Sequence, residues 1–120
     1  MGIYYGLFLL FFGPFPEEVG WRGILFNDLN KLSFKRAQLF VMIVWLVWHL
    51  PLFFIKGTYQ YNLGIISFGF LFFCINIIIQ SLMMGYLFII GNKNILLPIL
   101  FHYFVNLMGE MFRKITFLKL

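Results

Sequence analysis

The sequence predicts an all-α, polytopic transmembrane bundle of about four main helices, built as a single domain over residues 1–120. Two features of the composition predict this class. The chain is 62% hydrophobic and 22% aromatic, whereas a soluble domain is about 45–50% apolar. Only 11% of the residues are charged, against about 25% in a soluble domain. A third observation is that apolar runs long enough to cross ~30 Å of hydrocarbon alternate with short polar segments.

The distribution of charge excludes one class of partner. The net charge is +5, but the basic residues are scattered at the ends of apolar segments and do not gather on one face. We therefore assign them to membrane flanks and predict no nucleic-acid partner. The lipid bilayer is the expected surrounding, in an integral membrane protein of a bacterial plasma membrane. The single cysteine, Cys74, forms neither a disulfide nor a thiolate cluster, so we interpret it as a small buried hydrophobe.

The first part of the chain predicts two helical stretches. Residues 3–12 are apolar but too short to span a bilayer alone. Pro16 marks the start of a new helix or a kink, because proline is tolerated in the first helical turn and disfavoured further in. This second helix should run to about Asn30, and its first turn holds Glu17 and Glu18, where the positive end of the helix dipole favours anions.

The remaining elements follow from alternating apolar and polar stretches. In order they are an interfacial loop 30–36, a spanning helix 37–55, a polar turn 57–62, a spanning helix 64–90, a turn 91–94 and a spanning helix 95–112. The helix 64–90 is long enough to tilt, or to kink slightly at Gly85. Beyond residue 112 the basic tail should return to water or headgroups, with Glu110 neutralising Arg113 or Lys114.

Six polar residues stand out from the apolar background and form the candidate catalytic site. Ionisable groups within hydrocarbon are costly, which makes each of them a functional-site hypothesis. Counting 1.5 Å of helical rise per residue from the nearest loops places those on three separate helices within a band ~7 Å deep. We therefore predict that they meet; the six are Glu17, Glu18, Arg22, His49, His102 and Asn106.

Spacing divides this set into pairs. Glu18 and Arg22 are four residues apart and can pair on one helix face. Glu17 is turned by about 100° from Glu18, so it stays available as a general base. His49 shares a face with Trp45, and together with Glu17 it can activate water. His102 and Asn106 share a face by the same spacing, and they are donors suited to a developing oxyanion.

Blander interpretations remain open for several residues. Either histidine alone can be explained by a hydrogen bond between helices, and we assign Asn76 and Gln80 to such interhelical bonding. Met83 and Met84 are expected in the core or facing lipid. A pore or transporter is a weaker hypothesis, because the polar residues form one cluster and no continuous stripe.

A metal site is a further alternative. Glu17, His49 and His102 supply a two-histidine, one-carboxylate set, which is a known zinc ligand combination and would make the protein a metallopeptidase. The zinc-peptidase pattern H-E-x-x-H is absent. A base, a helping imidazole and two oxyanion donors already cover hydrolysis, so the sequence favours a reaction that requires no cofactor.

The motifs also resemble a known family. The order is EExxxR in EEVGWRG, then an aromatic-xxx-His from Trp45 to His49 that is followed by Leu-Pro in WHLP, then HxxxN in LLPILFHYFVN, over residues 17–106. This pattern resembles the CPBP family of intramembrane proteases, also called the CAAX protease, bacteriocin-processing or Abi family. One departure is Trp45, which stands where the family often has phenylalanine and keeps an aromatic ring.

The resemblance implies an intramembrane endopeptidase acting on a membrane-associated peptide or protein, although the family has been described both as metal-dependent and as glutamate-driven. Its eukaryotic branch is associated with cleaving prenylated C-terminal tails, and small bacterial members with bacteriocin immunity or peptide maturation. By this resemblance, each motif residue has a role: Glu17 activates water, Glu18 and Arg22 support it, His49 assists at the water, and His102 with Asn106 binds the oxyanion.

The length of the family gives two further expectations. Its members are usually longer, with additional helices before the first motif, so this sequence corresponds to the motif-bearing half. Three explanations stay open: a shortened member, a gene fragment truncated on the N-terminal side, or a domain that needs a partner. A partner chain or an oligomer that completes the bundle is therefore one expected partner. The alternative function is a non-catalytic membrane immunity or binding protein that keeps the protease fold.

Overall fold

The structure, a computed structural model, describes residues 3–117, and these are helical with no strand among them. The predicted all-α class is confirmed. The elements in order are α1 Ile3–Phe12, α2 Pro14–Glu18, a π-helix Val19–Phe26, α3 Asn27–Asn30, α4 Phe34–His49, a 3₁₀ helix Leu50–Phe54, α5 Tyr59–Leu63, α6 Phe68–Ile90 and α7 Leu96–Phe117.

Two helical segments within the described chain are long and apolar enough to cross a membrane, Phe34–Phe54 and Phe68–Ile90. Both were predicted as spans. Only 28% of either segment is buried within the protein, so most of its apolar side chains face outward, as in a helix surrounded by lipid. Residues 95–112 were also predicted to span; all but the first lie in helix α7, which is 22 residues long but is not one of these two segments.

The predicted second helix is present, with a different beginning and interior. It starts at Pro14, directly after α1 and Gly13, and continues through α2, the π-helix and α3 to Asn30. A π-helix closes i→i+5 hydrogen bonds, and such turns are rare and frequent at functional sites. The π-helix here contains Arg22, a member of the predicted site.

The other boundaries differ from the predicted ones for local reasons. Helix α4 ends at His49 and continues as a 3₁₀ helix, because Pro51 cannot donate the next α-helical bond. Most of the predicted turn 57–62 is helical, because it overlaps α5, whose N-cap Thr58 accepts a hydrogen bond from the Tyr61 backbone N–H at 3.1 Å. Helix α6 begins at Phe68 after the N-cap Ser67. Helix α7 runs to Phe117, so the expected tail is helical there; Lys119 lies outside the described residues.

The core lies where α4, α6 and the π-helix meet. One buried cluster joins Phe26 to Phe88 and to two residues of α4, and a second joins Trp45 to Ile77 and Met84. Met84 therefore lies in the core, which is one of the two positions that were predicted for it. Cys74 is half-buried, which is less than expected.

Gly85 allows the closest approach between α4 and α6. Helix α6 continues as an α-helix through this position, where a slight kink was one of two expectations, and the Gln38 side chain of α4 packs against it. A Cβ atom on residue 85 would lie 1.8 Å from Gln38 Oε1. Gln38 Nε2 donates a hydrogen bond to the Ser81 carbonyl at 2.8 Å, so the contact ties the two spans together.

Replacing Gly85 tests this packing. We expect Gly85→Ala to lower the free energy of unfolding by about 1–3 kcal/mol, because the new Cβ displaces Gln38 from its buried hydrogen bond. The measurement is the thermal unfolding midpoint in detergent. Gly109→Ala is the matched control, since nothing lies within 4 Å of its Cβ; it should leave the midpoint unchanged or raise it. Equal midpoints for Gly85→Ala and the parent chain would contradict the packing argument.

Candidate active site

A buried ion pair lies at the centre of the bundle. Arg22 Nη1 donates to Glu18 Oε1 at 3.0 Å, and both side chains are 0% exposed. The predicted pairing is therefore present. Arg22 Nη2 also donates to Ser81 Oγ of α6 at 2.9 Å, and the guanidinium carbon lies 4.9 Å from the centre of the Trp45 ring. The arginine thus has contacts on three helical segments.

Glu18 has a second partner that the spacing of the sequence did not indicate. His102 Nδ1 lies 2.9 Å from Glu18 Oε1, and His102 is buried. A carboxylate oxygen accepts, so Nδ1–H donates and Nε2 is left for other partners. One carboxylate oxygen therefore holds both Arg22 and His102, which fixes α7 against the first motif.

Glu17 lies in a different environment, as its position on another face predicted. Its Oε2 accepts a hydrogen bond from Trp45 Nε1 at 2.9 Å, and the residue is half-buried. Trp45 was not among the predicted site residues. Its position four residues before His49 and the need of a buried indole N–H for an acceptor are the signals that would have found it.

The orientation of His49 is fixed by its own helix. Its Nδ1 lies 2.7 Å from the Trp45 carbonyl oxygen, which can only accept, so Nδ1 carries the hydrogen. In the neutral ring Nε2 is then a hydrogen-bond acceptor. The ring also meets Trp45 and Phe73 edge-on, at centroid distances of 5.2 and 5.6 Å.

A cavity of about 990 Å³ brings the accessible members of the site together. This volume lies at the upper end of the ~300–1,000 Å³ range of ligand pockets. Glu18 and Arg22 are buried behind it. The predicted residues that line the cavity are Glu17, His49, His102 and Asn106. The structure thus brings all six together in two layers, four at the cavity and two behind.

Two amides on α6 have a different arrangement from the predicted one. Asn76 and Gln80 were assigned to bonding between helices. Instead Gln80 Nε2 donates to Asn76 Oδ1 within α6, and both side chains line the cavity. They are therefore part of the cavity wall.

A second, smaller pocket is also lined by Glu17. Its volume is about 380 Å³, and its wall is mostly apolar; it is lined by Phe12, Pro16, Glu17, Gly20, Trp21 and Trp48. Glu17 therefore borders both the larger cavity and an aromatic pocket.

The alternative zinc set does not fit the geometry. Among the residues that the structure describes, no three histidine, cysteine, aspartate or glutamate side chains are grouped so as to hold a metal ion. Glu17, His49 and His102 line the same cavity, but their donor atoms do not form a ligand set.

Glu110 neutralises Arg113, one of its two predicted partners. The Arg113 guanidinium carbon lies 5.5 Å from the centre of the Tyr59 ring. Lys114 Nζ instead lies 5.0 Å from the centre of the Tyr5 ring on α1.

Comparison with known proteins agrees with the motif pattern. A family model described as type II CAAX prenyl endopeptidase Rce1-like matches residues 1–108. The chain is 35% identical over 108 residues to CAAX prenyl protease 2 of Methanococcus maripaludis, an alignment covering 88% of this chain and 40% of that protein. The chain thus spans less than half the length of this relative, and no solved structure is a significant match. The chain belongs to the Rce1-like type II CAAX prenyl endopeptidase family.

Proposed function

We propose that this chain carries the catalytic centre of an intramembrane endopeptidase that hydrolyses the C-terminal tail of a prenylated peptide. The family supports a CAAX prenyl protease-type endopeptidase, and the C-a-a-X motif is a C-terminal sequence whose cysteine is prenylated. The observation that carries the proposal is that one cavity is lined by a carboxylate, two imidazoles and an amide.

Glu17 acts as the general base in this proposal. A water oxygen attacks the carbonyl carbon of the scissile bond while Glu17 takes the water proton. Trp45 holds one carboxylate oxygen at 2.9 Å, which fixes the orientation of the group. The C–N bond then breaks, and the proton passes to the nitrogen of the leaving amine. His49 assists by accepting a hydrogen bond from the water through Nε2, because its Nδ1 is already bonded to the Trp45 carbonyl.

His102 and Asn106 stabilise the negative oxygen of the tetrahedral intermediate. The Asn106 amide supplies N–H donors, and His102 donates through Nε2 when its ring carries both protons. Glu18 is the partner that the doubly protonated ring needs at Nδ1. Arg22 in turn holds Glu18 in place. Glu18 and Arg22 therefore act as positioning residues behind the reacting groups.

A non-catalytic binding function is the second candidate. The matched part is 40% of the relative's length, so the comparison supports the family and not the activity of the whole relative. A partner chain or a second copy that completes the bundle stays a prediction. The two candidates predict different outcomes with the same probe: a binding protein retains a farnesylated C-a-a-X peptide intact, whereas the endopeptidase releases its C-terminal fragment. Residence in a bacterial plasma membrane stays a prediction.

Replacing Glu17 is the most direct test of the catalytic proposal. We expect Glu17→Gln to abolish cleavage of a farnesylated C-a-a-X peptide in detergent or vesicles, because it removes the base and keeps the volume. The thermal unfolding midpoint should stay close to that of the parent chain, since Glu17 is only half-buried. Peptide release is measured by mass spectrometry.

Glu18→Gln is the matched comparison, because it makes the same chemical change one residue away. It should lower the unfolding midpoint as well as the rate, since removing one member of a buried ion pair costs about 3–5 kcal/mol. Retained turnover in Glu17→Gln would remove Glu17 from its proposed role.

The oxyanion assignment predicts non-additive losses. We expect His102→Ala and Asn106→Ala each to lower kcat by about 10²–10³, the effect of removing one oxyanion donor. The double variant should lose less than the product of the two, because both donors act on one oxygen. The measurement is kcat for the three variants on the same peptide. Fully multiplicative losses would show that the two residues do not serve a common group.

Metal dependence is tested by removing metal from the purified chain. We expect cleavage to persist after treatment with a strong chelator and removal of the chelated metal, because base, imidazole and oxyanion donors are all supplied by side chains. Bound zinc is measured before and after treatment, and activity is assayed with and without added zinc. Loss of activity that about one equivalent of zinc restores would instead make Glu17, His49 and His102 zinc ligands.

A further inference from the structure

The face of α7 that carries the two proposed oxyanion donors also carries a cation, Arg113. Asn106 and Arg113 follow His102 by four and eleven residues, which are spacings that return to the same face of an α-helix. All three line the cavity of about 990 Å³. Among the cavity-lining residues that the structure describes, Arg113 is the only cation. It lies beyond residues 1–108, which the family model matches.

The surroundings of Arg113 leave it able to bind a further anion. Its side chain is 40% exposed, and the contact with Glu110, which lines the same cavity, uses Nη2 and leaves the other N–H groups available. A guanidinium has five N–H donors in a planar fork that matches a carboxylate. Tyr59 contacts the guanidinium through its ring, which restricts the orientation without using a donor.

The distance between Asn106 and Arg113 along α7 gives the length of a peptide that could contact both residues. Seven residues of α-helix separate Asn106 from Arg113 by ~10 Å along the axis. An extended peptide covers ~3.3–3.6 Å per residue, so this separation is the reach of roughly three residues. A peptide that runs along α7 with its scissile carbonyl at Asn106 would therefore place the residue about three positions further along its chain at Arg113.

We propose that Arg113 binds the α-carboxylate at the C-terminus of the substrate and thereby favours peptides that end in a free acid. This inference rests on the proposed function, because it takes His102 and Asn106 as the position of the reacting carbonyl. Arg113 is a substrate-binding residue in this account, since it contacts a part of the substrate remote from the chemistry.

The neighbouring cation provides the comparison. Lys114 is next in sequence, but it contacts the Tyr5 ring and does not line the cavity. A basic residue at this end of α7 therefore does not need to face the cavity. Partly exposed ion pairs such as Glu110 with Arg113 contribute little to stability, so stability alone gives a weak reason for a cavity-facing arginine.

The test compares two farnesylated C-a-a-X peptides that differ only at the C-terminus, one a free acid and one a carboxamide. We expect the parent chain to favour the acid in kcat/KM by about 10- to 100-fold, the effect of a hydrogen bond to a charged group. In Arg113→Gln the acid-to-amide ratio should fall to near one. Arg113→Lys, which keeps the charge and loses the fork, should give an intermediate ratio. Lys114→Gln is the matched control and should keep the full ratio.

A binding measurement separates this inference from the proposed function. In the Glu17→Gln chain, the dissociation constants of both peptides are compared by fluorescence anisotropy, with and without Arg113→Gln. A preference for the acid that Arg113→Gln removes supports the carboxylate site, even where no cleavage occurs and the endopeptidase proposal fails. Equal affinity for acid and amide, or a preference that survives Arg113→Gln in a folded chain, overturns the inference.

Discussion

The buried carboxylate of Glu18 is the constraint on which the rest of the structure depends. A charge removed from water in a bilayer is tolerated only with close partners, and Glu18 has two, from different parts of the chain. Arg22 lies one turn along the same helical segment, whereas His102 is 84 residues away. Any arrangement of the helices that separated α7 from the first motif would leave the carboxylate with only Arg22. The polar contacts therefore determine which helices can be neighbours.

The same contacts continue outward from Arg22. Its second nitrogen reaches Ser81 on α6, and the backbone carbonyl of Ser81 accepts from Gln38 on α4. The guanidinium also lies over Trp45, whose indole N–H holds Glu17. The two adjacent glutamates are thus connected through Trp45 and Arg22, although they face different surroundings. This arrangement lets one carboxylate organise the bundle while the other stays at the cavity.

The parts of the fold that depend on local spacing could be predicted from the sequence. The long apolar runs gave the two spans, and the interval of four residues gave the Glu18–Arg22 pair. The contact between His102 and Glu18 could not be predicted, because helical rise fixes the depth of a residue but not its rotation about the helix axis or its partner. The role of Trp45 required knowing that its indole meets Glu17. Asn76 and Gln80 were assigned to the wrong surroundings, because one periodic pattern does not distinguish a cavity wall from a helix contact.

The π-helix at Val19–Phe26 has a consequence for how this region tolerates insertions and deletions. Each of its hydrogen bonds encloses one residue more than an α-helical bond, so the stretch holds a residue that an α-helix would not need. Deleting one residue there would let α-helical bonding run through without breaking the helix. Because the wider π-turns take up the additional residue, the parts on either side, with Glu18 and Phe26, would keep nearly the same orientation relative to each other. The side chains inside the stretch, Arg22 among them, would take other directions. The length of this stretch therefore sets the direction of Arg22 more than the course of the helix around it.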